Sequence, residues 1–234
     1  MRTIGNVGMC FMAGVLLAGC ADLEGGDEGE AALVDKGGYV GEDAPQDISA
    51  PPPSTGRSIP ARSDFVVAVT PYSGVWGSWS AMQYCPEGSY AGGYSERIEG
   101  SQGSGDDTGL NAIAVECVNK ATGAWTDTLT PHAGFWGSWS QTRRCSVQGG
   151  FFTGSDLKFE RPQGSGDDTA ANAVDFYCNV GQAFGPARGW GEWQPKASCP
   201  ANTAVCGIQV RVEGTQGSGD DTAFNGLNIA CCRF

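Results

Sequence analysis

The chain has 234 residues, 37 of them glycine and 10 cysteine, and a formal charge of −12. Residues 61–234 carry 17 acidic and 11 basic residues, so half of the surplus charge lies in the 60 residues ahead of them. No basic stripe is present to neutralise phosphate, which argues against nucleic acid as a partner. One histidine, His132, and the lack of any Cys-x-x-Cys pair likewise argue against a zinc framework.

The chain opens like an export signal. Arg2 is followed by a short apolar run, Val7–Leu17, which is too short to span a bilayer and has the length of a signal-peptide core. Leu17-Ala18-Gly19-Cys20 resembles the bacterial lipobox, which implies that residues 1–19 are removed and that diacylglycerol is attached to the Cys20 thiol. Several acyl chains hold a protein at a membrane where a single one does not. Ordinary secretion with an incidental Cys20 is the alternative. Residues 20–60 then form a lipidated tether: nine acidic residues stand against Lys36 and Arg57, and Pro51-Pro52-Pro53 lies near its end. So polar a segment cannot offset its ordering entropy and is expected to be disordered, stiffer at its proline end. The folded domain is expected over residues 61–234.

That domain is a threefold repeat. Gln-Gly-Ser-Gly-Asp-Asp-Thr occurs unchanged at Gln102–Thr108, Gln163–Thr169 and Gln216–Thr222. Each copy follows a Trp-Gly-x-Trp segment (Trp76–Trp79, Trp136–Trp139, Trp190–Trp193) and precedes an Asn (Asn111, Asn172, Asn225). From the second Asp of each copy to the closing cysteine is ten residues: Asp107 to Cys117, Asp168 to Cys178 and Asp221 to Cys231.

Within each unit the apolar period is two. Ile208, Val210 and Val212 alternate with Gln209, Arg211 and Glu213, and Ile113, Val115 and Cys117 share one face. Phe65–Val69 reads as a further strand. No long segment carries a helical apolar stripe. About four short strands per unit give one small sheet that cannot bury its apolar face alone, whereas three such sheets facing inward can. The expected fold is all-β: a β-prism of three four-stranded Greek-key sheets with pseudo-threefold symmetry, its core shared by the aliphatics and the Trp pairs. A linear solenoid of three units would expose two apolar ends.

An exported chain with eight cysteines beyond Cys20 implies disulfides. If equivalent units make equivalent bonds, the pairs are Cys85–Cys117, Cys145–Cys178 and Cys199–Cys231, which leaves Cys206 and Cys232 for each other. Adjacent Cys231 and Cys232 point to opposite faces of a strand and so can serve different partners; a bond between them is the strained alternative.

Taken together, Trp-Gly-x-Trp, a Cys, Gln-Gly-x-x-Asp-Asp-Thr-Ala-x-Asn and a closing Cys, in three copies ending in Cys-Cys, resemble the vitelline membrane outer layer protein I family over roughly residues 64–234. The third unit carries the likeness furthest, through Cys206-Gly207-Ile208-Gln209, Val212-Glu213, Asp220-Asp221-Thr222-Ala223 and Cys231-Cys232. The resemblance implies the same β-prism, four disulfides and an extracellular setting. It also implies a carbohydrate-related role, without handing over a catalytic residue. Gly109 departs from the usual Ala, and the lipobox and acidic tether lie outside the pattern.

The candidate ligand-binding residues are Asp107, Asp168, Asp221, Trp76, Trp136 and Trp190. The second Asp of each motif is expected to close its own glycine-rich loop; the alternative is that the three acids converge on a ligand. The motif matches neither a calcium loop nor a phosphate loop. Each Trp pair is expected to place one ring in the core and one over a sheet end, with aromatic platforms for sugar rings as the alternative. No catalytic residue, metal or cofactor is assigned. The favoured reading is a lipid-anchored, monomeric, non-catalytic cell-surface module binding glycans or extracellular matrix. The alternative is a carbohydrate-active enzyme using motif carboxylates on chito-oligosaccharide-like substrates.

Overall fold

The computed structural model describes residues 62–234 except 104–106, 147, 164–167, 184, 186–188, 217–220 and the Gln182 side chain. The export signal, Cys20 and the tether lie outside the described residues, as do the first acids of the motif copies, Asp106, Asp167 and Asp220.

Every regular element among the described residues is a strand. In chain order these are β1 (Phe65–Ser73), β2 (Ser78–Trp79), β3 (Gln83–Tyr84), β4 (Ser89–Ile98), β5 (Leu110–Asn119), β6 (Trp125–Leu129), β7 (Ser138–Trp139) and β8 (Arg143–Arg144). There follow β9 (Phe152–Phe159), β10 (Ala171–Cys178), β11 (Gln182–Ala183), β12 (Glu192–Trp193), β13 (Ala197–Ser198), β14 (Thr203–Val212) and β15 (Phe224–Arg233).

They form three antiparallel sheets. Sheet I runs β6-β5-β4-β7 with β8 also on β4; sheet II runs β11-β10-β9-β12 with β13 also on β9; sheet III runs β1-β15-β14-β2 with β3 also on β14. The paired short segments are one edge strand broken in two, so each sheet is four-stranded in Greek-key order. Six long strands face one core: Leu110, Ile113 and Val115 from sheet I, Leu157, Val174 and Phe176 from sheet II, and Ile208, Leu227 and Ile229 from sheet III. This is the expected β-prism.

Two expectations need correction. A sequence unit is not a sheet. Each Trp-Gly-x-Trp segment hydrogen-bonds to the long hairpin of the preceding unit, with Trp139 opposite Arg97, Trp193 opposite Lys158 and Trp79 opposite Arg211. The ring closes because β1 lies along β15, from Phe65 opposite Cys232 to Ser73 opposite Gly226. Nor do the Trp rings fill the core. It is built from aliphatics, Tyr94 and four Phe rings, while every Trp is half-buried or exposed. The glycine between the paired Trp residues explains why. Gly77, Gly137 and Gly191 have φ of 74°, 79° and 80°, and a Cβ there would stand 2.3 Å from the carbonyl of Val212, Ile98 or Phe159. That tight bend against a sheet's last residue leaves the rings at the sheet's end.

The disulfides are Cys85–Cys117, Cys145–Cys178, Cys199–Cys231 and Cys206–Cys232, the pairs that repeat symmetry gives. Strand exchange gives the first three a further role. The Cys85 N–H bonds to sheet III, at the Cys206 carbonyl, while Cys117 lies in sheet I. Cys145 is bonded to Gly92 of sheet I and is linked to sheet II, and Cys199 is bonded to Thr153 of sheet II and is linked to sheet III. Each of these three disulfides therefore joins one sheet to the next around the ring, while Cys206–Cys232 lies within sheet III. Closing loops of 32 or 33 residues contributes about 2–4 kcal/mol apiece by restricting the unfolded chain. Cys231 is bonded to Cys199, which packs against the shared core, and Cys232 lies in a second cluster with Tyr84, Tyr90 and Phe151, so the adjacent cysteines serve different partners as expected.

Candidate functional site

Each motif links the two long strands of its sheet. Its base is a hydrogen bond from the N–H of Glu99, Glu160 or Glu213 to the carbonyl of Gly109, Ala170 or Ala223. Those three carbonyl residues all have positive φ (60°, 53° and 45°), so Gly109 occupies comfortably a conformation that Ala170 and Ala223 adopt under strain. A Cβ on Gly109 would meet Asn172 Oδ1 at 2.7 Å, which is why this copy departs from alanine.

The second acid of each motif turns onto its own loop. Oδ1 of Asp107, Asp168 and Asp221 accepts the N–H of Gln102, Gln163 and Gln216 at 2.5, 2.8 and 2.5 Å. Asp107 and Asp168 are buried. The motif threonine donates to a glutamate nine residues back: Thr108 to Glu99 (2.7 Å), Thr169 to Glu160 (2.7 Å) and Thr222 to Glu213 (2.5 Å). The motif glutamine donates to the other oxygen of that glutamate, at 3.4, 2.8 and 3.3 Å. The following Asn donates to the Thr hydroxyl at 2.6 Å in all three copies. Each Asn occupies a β-bulge between the long strands, so it is turned out of the ladder and toward the loop.

This network supports the Trp loop of the next unit. Asn111 Oδ1 accepts the N–H of Trp136 at 3.1 Å. Gly189 and Gly74, which precede the other Trp pairs, pack so closely on Asn172 and Asn225 that a Cβ would stand 2.1 and 2.8 Å from Oδ1. A cation two residues before the glutamate holds the same loop from its other side. Arg97 donates to the carbonyls of Ala133 and Gly137, Arg211 to those of Gly74, Val75 and Gly77, and Lys158 to that of Gly189. The glutamates and cations escape a search confined to the heptapeptide. Their signal is plain once the repeat is extended upstream, as Arg97-Ile98-Glu99, Lys158-Phe159-Glu160 and Arg211-Val212-Glu213.

The six candidate residues thus belong to three motif-and-Trp groups, linked through the motif Asn and not by direct contact: Asp107 with Trp136, Asp168 with Trp190, and Asp221 with Trp76. Symmetry breaks at their rings. Trp76 and Trp136 are half-buried, whereas Trp190 is 43% and Trp193 37% exposed. Trp190 walls a groove of about 280 Å³ with Glu160, Gln163 and Thr169. Trp193, with Arg161 and Gln194, lines another of about 540 Å³. His132 packs on Phe135 in the connector, its Nδ1 accepting the Gly134 N–H.

A second break in symmetry lies inside the prism. Glu96 is fully buried at the position where sheets II and III carry Leu157 and Val210. Among the described residues, the edge strand of sheet II is the two-residue β11, which pairs with Phe176 and Tyr177. In sheet III the equivalent Leu227 pairs with Tyr72. Glu96 Oε1 accepts the Val174 N–H at 2.9 Å, and the Tyr94 hydroxyl donates to the Val174 carbonyl at 3.0 Å. Two side chains of sheet I therefore partner both backbone groups of Val174, as buried backbone groups require partners. Burial pushes the Glu96 carboxyl up to about 7; the Val174 N–H and Arg143, 3.1 Å away, act against the rise and Asp175 adds to it.

A family model described as vitelline membrane outer layer protein I matches residues 66–234. The chain belongs to the vitelline membrane outer layer protein I family. It is 38% identical to the human vitelline membrane outer layer protein 1 homolog over 171 residues, 72% of this chain and 83% of the relative. The mouse homolog is 37% identical over 162 residues, 68% and 79% of the two chains. Among solved structures, Calystegia sepium agglutinin gives a TM-score of 0.48 at 12% identity, covering 73% of this chain and 98% of that one. A mannose-specific jacalin-related lectin from Morus nigra in complex with mannose gives 0.47 at 12%, covering 73% and 96%. These weak likenesses add nothing to the sheet pairing described above.

Proposed function

We propose that this member of the family is a non-catalytic, monomeric glycan-binding module, held at the cell surface by lipid on Cys20 and an acidic tether. The observation that carries the reading is Trp190, exposed over a groove whose other walls are Glu160, Gln163 and Thr169. An indole face stacks on the apolar face of a pyranose ring, and fixed polar groups beside it select hydroxyl orientation. Here those groups are already ordered, because Thr169 and Gln163 both donate to Glu160, so little ordering entropy is lost on binding. The motif acids favour the non-catalytic form of the reading, since Asp107, Asp168 and Asp221 each bind their own loop. Eight cysteines in disulfides suit an oxidising compartment outside the cytosol.

A glycan array combined with polysaccharide pull-down tests the binding. The expected result is retention of at least one glycan by the wild type and loss of roughly tenfold or more in affinity for Trp190→Ala. Absence of binding across both formats overturns the glycan assignment. Fractionation of cells expressing a Cys20→Ser variant tests the anchor. The variant is expected to leave the membrane fraction, and unchanged membrane retention contradicts lipidation.

A further inference from the structure

The outer faces of the three sheets are not equivalent, although their backbones are. At one register position on the outer face, sheet III pairs Gln209 with Asn228, sheet II pairs Asp156 with Asp175, and sheet I pairs Ser95 with Ala114. In sheet III these side chains bridge all four strands. Thr70 donates to Asn228 Oδ1 (2.5 Å), Asn228 to Gln209 Oε1 (3.0 Å), and Gln209 to the Ser80 carbonyl (2.7 Å). In sheet II Asp156 accepts the Tyr177 hydroxyl at 2.6 Å, Lys196 lies over the Tyr177 ring, and Asp175 accepts the Gly185 N–H at 2.8 Å. Both faces are covered by their own side chains.

Sheet I has the two smallest residues at that position, and they form the buried floor of a groove instead of filling it. Ser95 and Ala114 lie in a groove of about 360 Å³ bounded by Trp139, Ser140, Glu116 and Thr128. The volume is at the small end of ligand pockets. Its chemistry is a half-buried indole at one side, a set of hydroxyls, and one carboxylate. That carboxylate is already neutralised, since Arg144 donates to both Glu116 oxygens at 2.6 and 2.7 Å. The lining holds no lysine or arginine, so nothing there favours an anionic ligand. Hydroxyl-rich walls beside an aromatic ring suit a compact, uncharged polyol with one apolar face.

We propose that the outer face of sheet I is a saccharide site for one or two rings of a neutral glycan, separate from the Trp190 groove. Trp139 supplies the stacking surface, Ser95, Thr128 and Ser140 the hydroxyl contacts, and Glu116, fixed by Arg144, an acceptor for sugar hydroxyls. The inference stands apart from the Trp190 reading, because it rests on a different face and on the side-chain differences among the three sheets.

The fold itself supplies the blocking variant. Ser95→Gln with Ala114→Asn writes the side-chain pair of sheet III onto sheet I, where the register is the same. Indole N–H resonances of Trp139 and Trp190 can be followed separately while cellobiose, lactose, maltose, chitobiose and mannobiose are each titrated to millimolar concentration. With at least one of them the Trp139 resonance is expected to shift saturably. In the double variant its affinity should fall roughly tenfold or more, with Trp190 responding as in the wild type. Ala114→Asn alone, which changes a single outward-facing residue, serves if the double variant does not fold. Lack of a Trp139 response to every disaccharide, or an equal response in wild type and blocked variant, overturns the site. A response confined to Trp190 refutes it while leaving the first reading intact, and silence at both rings is evidence against both.

Discussion

Replacing Glu96 by glutamine should change how stability depends on pH, in a direction opposite to that of most carboxylates. The wild-type carboxyl is fully buried and its folded-state pKa is raised from 4.5 to about 7. Below the unfolded value both states carry the proton and the group contributes no pH dependence. Between the two values the unfolded chain releases its proton while the native domain holds it, so native stability falls as pH rises; above the folded value the effect is complete. A gap of about 2.5 pH units corresponds to about 3 kcal/mol. The groups facing Glu96 are Arg143, Asp175 and Tyr94, and all are retained in the variant. Glutamine stays neutral and its carbonyl still accepts the Val174 N–H. Urea denaturation with disulfides intact, at a series of pH values from about 4 to about 8, gives the difference in unfolding free energy between the two proteins. Relative to Glu96→Gln, the wild type should lose about 3 kcal/mol across that range, mostly between about 4.5 and 7. A difference that stays flat with pH would refute the assignment of a buried, protonated carboxyl. Glu96→Leu, which copies sheet II, leaves the Val174 N–H unpaired and should cost about 1–3 kcal/mol at acid pH, where the native carboxyl is neutral.

Gly137 and Gly103 share a positive φ (79° and 77°), but only Gly137 is crowded, with Ile98 backbone atoms 2.3 Å from a would-be Cβ. In thermal or urea denaturation Gly137→Ala should cost roughly 2–5 kcal/mol and Gly103→Ala about 1; equal costs would remove the close-approach explanation of the Trp bend. Asp168→Ala strips the Gln163 N–H of its acceptor and should destabilise by about 1–2 kcal/mol, whereas Asp168→Asn, which keeps an accepting oxygen, should cost much less. An asparagine variant as unstable as the alanine one would show that charge, not loop closure, is what the position supplies.

The repeat made much of the fold legible. Once three units are registered, the alternation of Ile208, Val210 and Val212 fixes their inward face, and the Cys231-Cys232 pair decides which cysteines are left for each other. Strand exchange was hidden, because a period of two says which side chains face inward but not which neighbour pairs with the strand. Hydrophobic volume suggested that the Trp rings belong in the core; backbone geometry overrode it, since glycine at positive φ lets Trp76, Trp136 and Trp190 turn at the ends of the sheets. Around the motif, Glu99, Glu160 and Glu213 were visible in register three residues upstream of the glutamine, but a single Glu looks like a solvated strand end. In the sequence, Glu96 is no more than a polar residue between Tyr94 and Ile98. Its reason lies in the Val174 backbone of another unit, which no local pattern around Glu96 contains.

The most direct test compares Trp190→Ala, in the wall of the groove, with Asp168→Asn, buried behind it in the loop that carries Gln163 and Thr169, in calorimetric titrations with whichever glycan the wild type retains. If the motif acid closes a loop and the indole makes the contact, Trp190→Ala loses roughly tenfold or more in affinity and Asp168→Asn stays within about twofold, both with cooperative unfolding intact. Loss of binding in a folded Asp168→Asn protein, with Trp190→Ala unaffected, would contradict the account and return the three identical motifs to the place of binding sites.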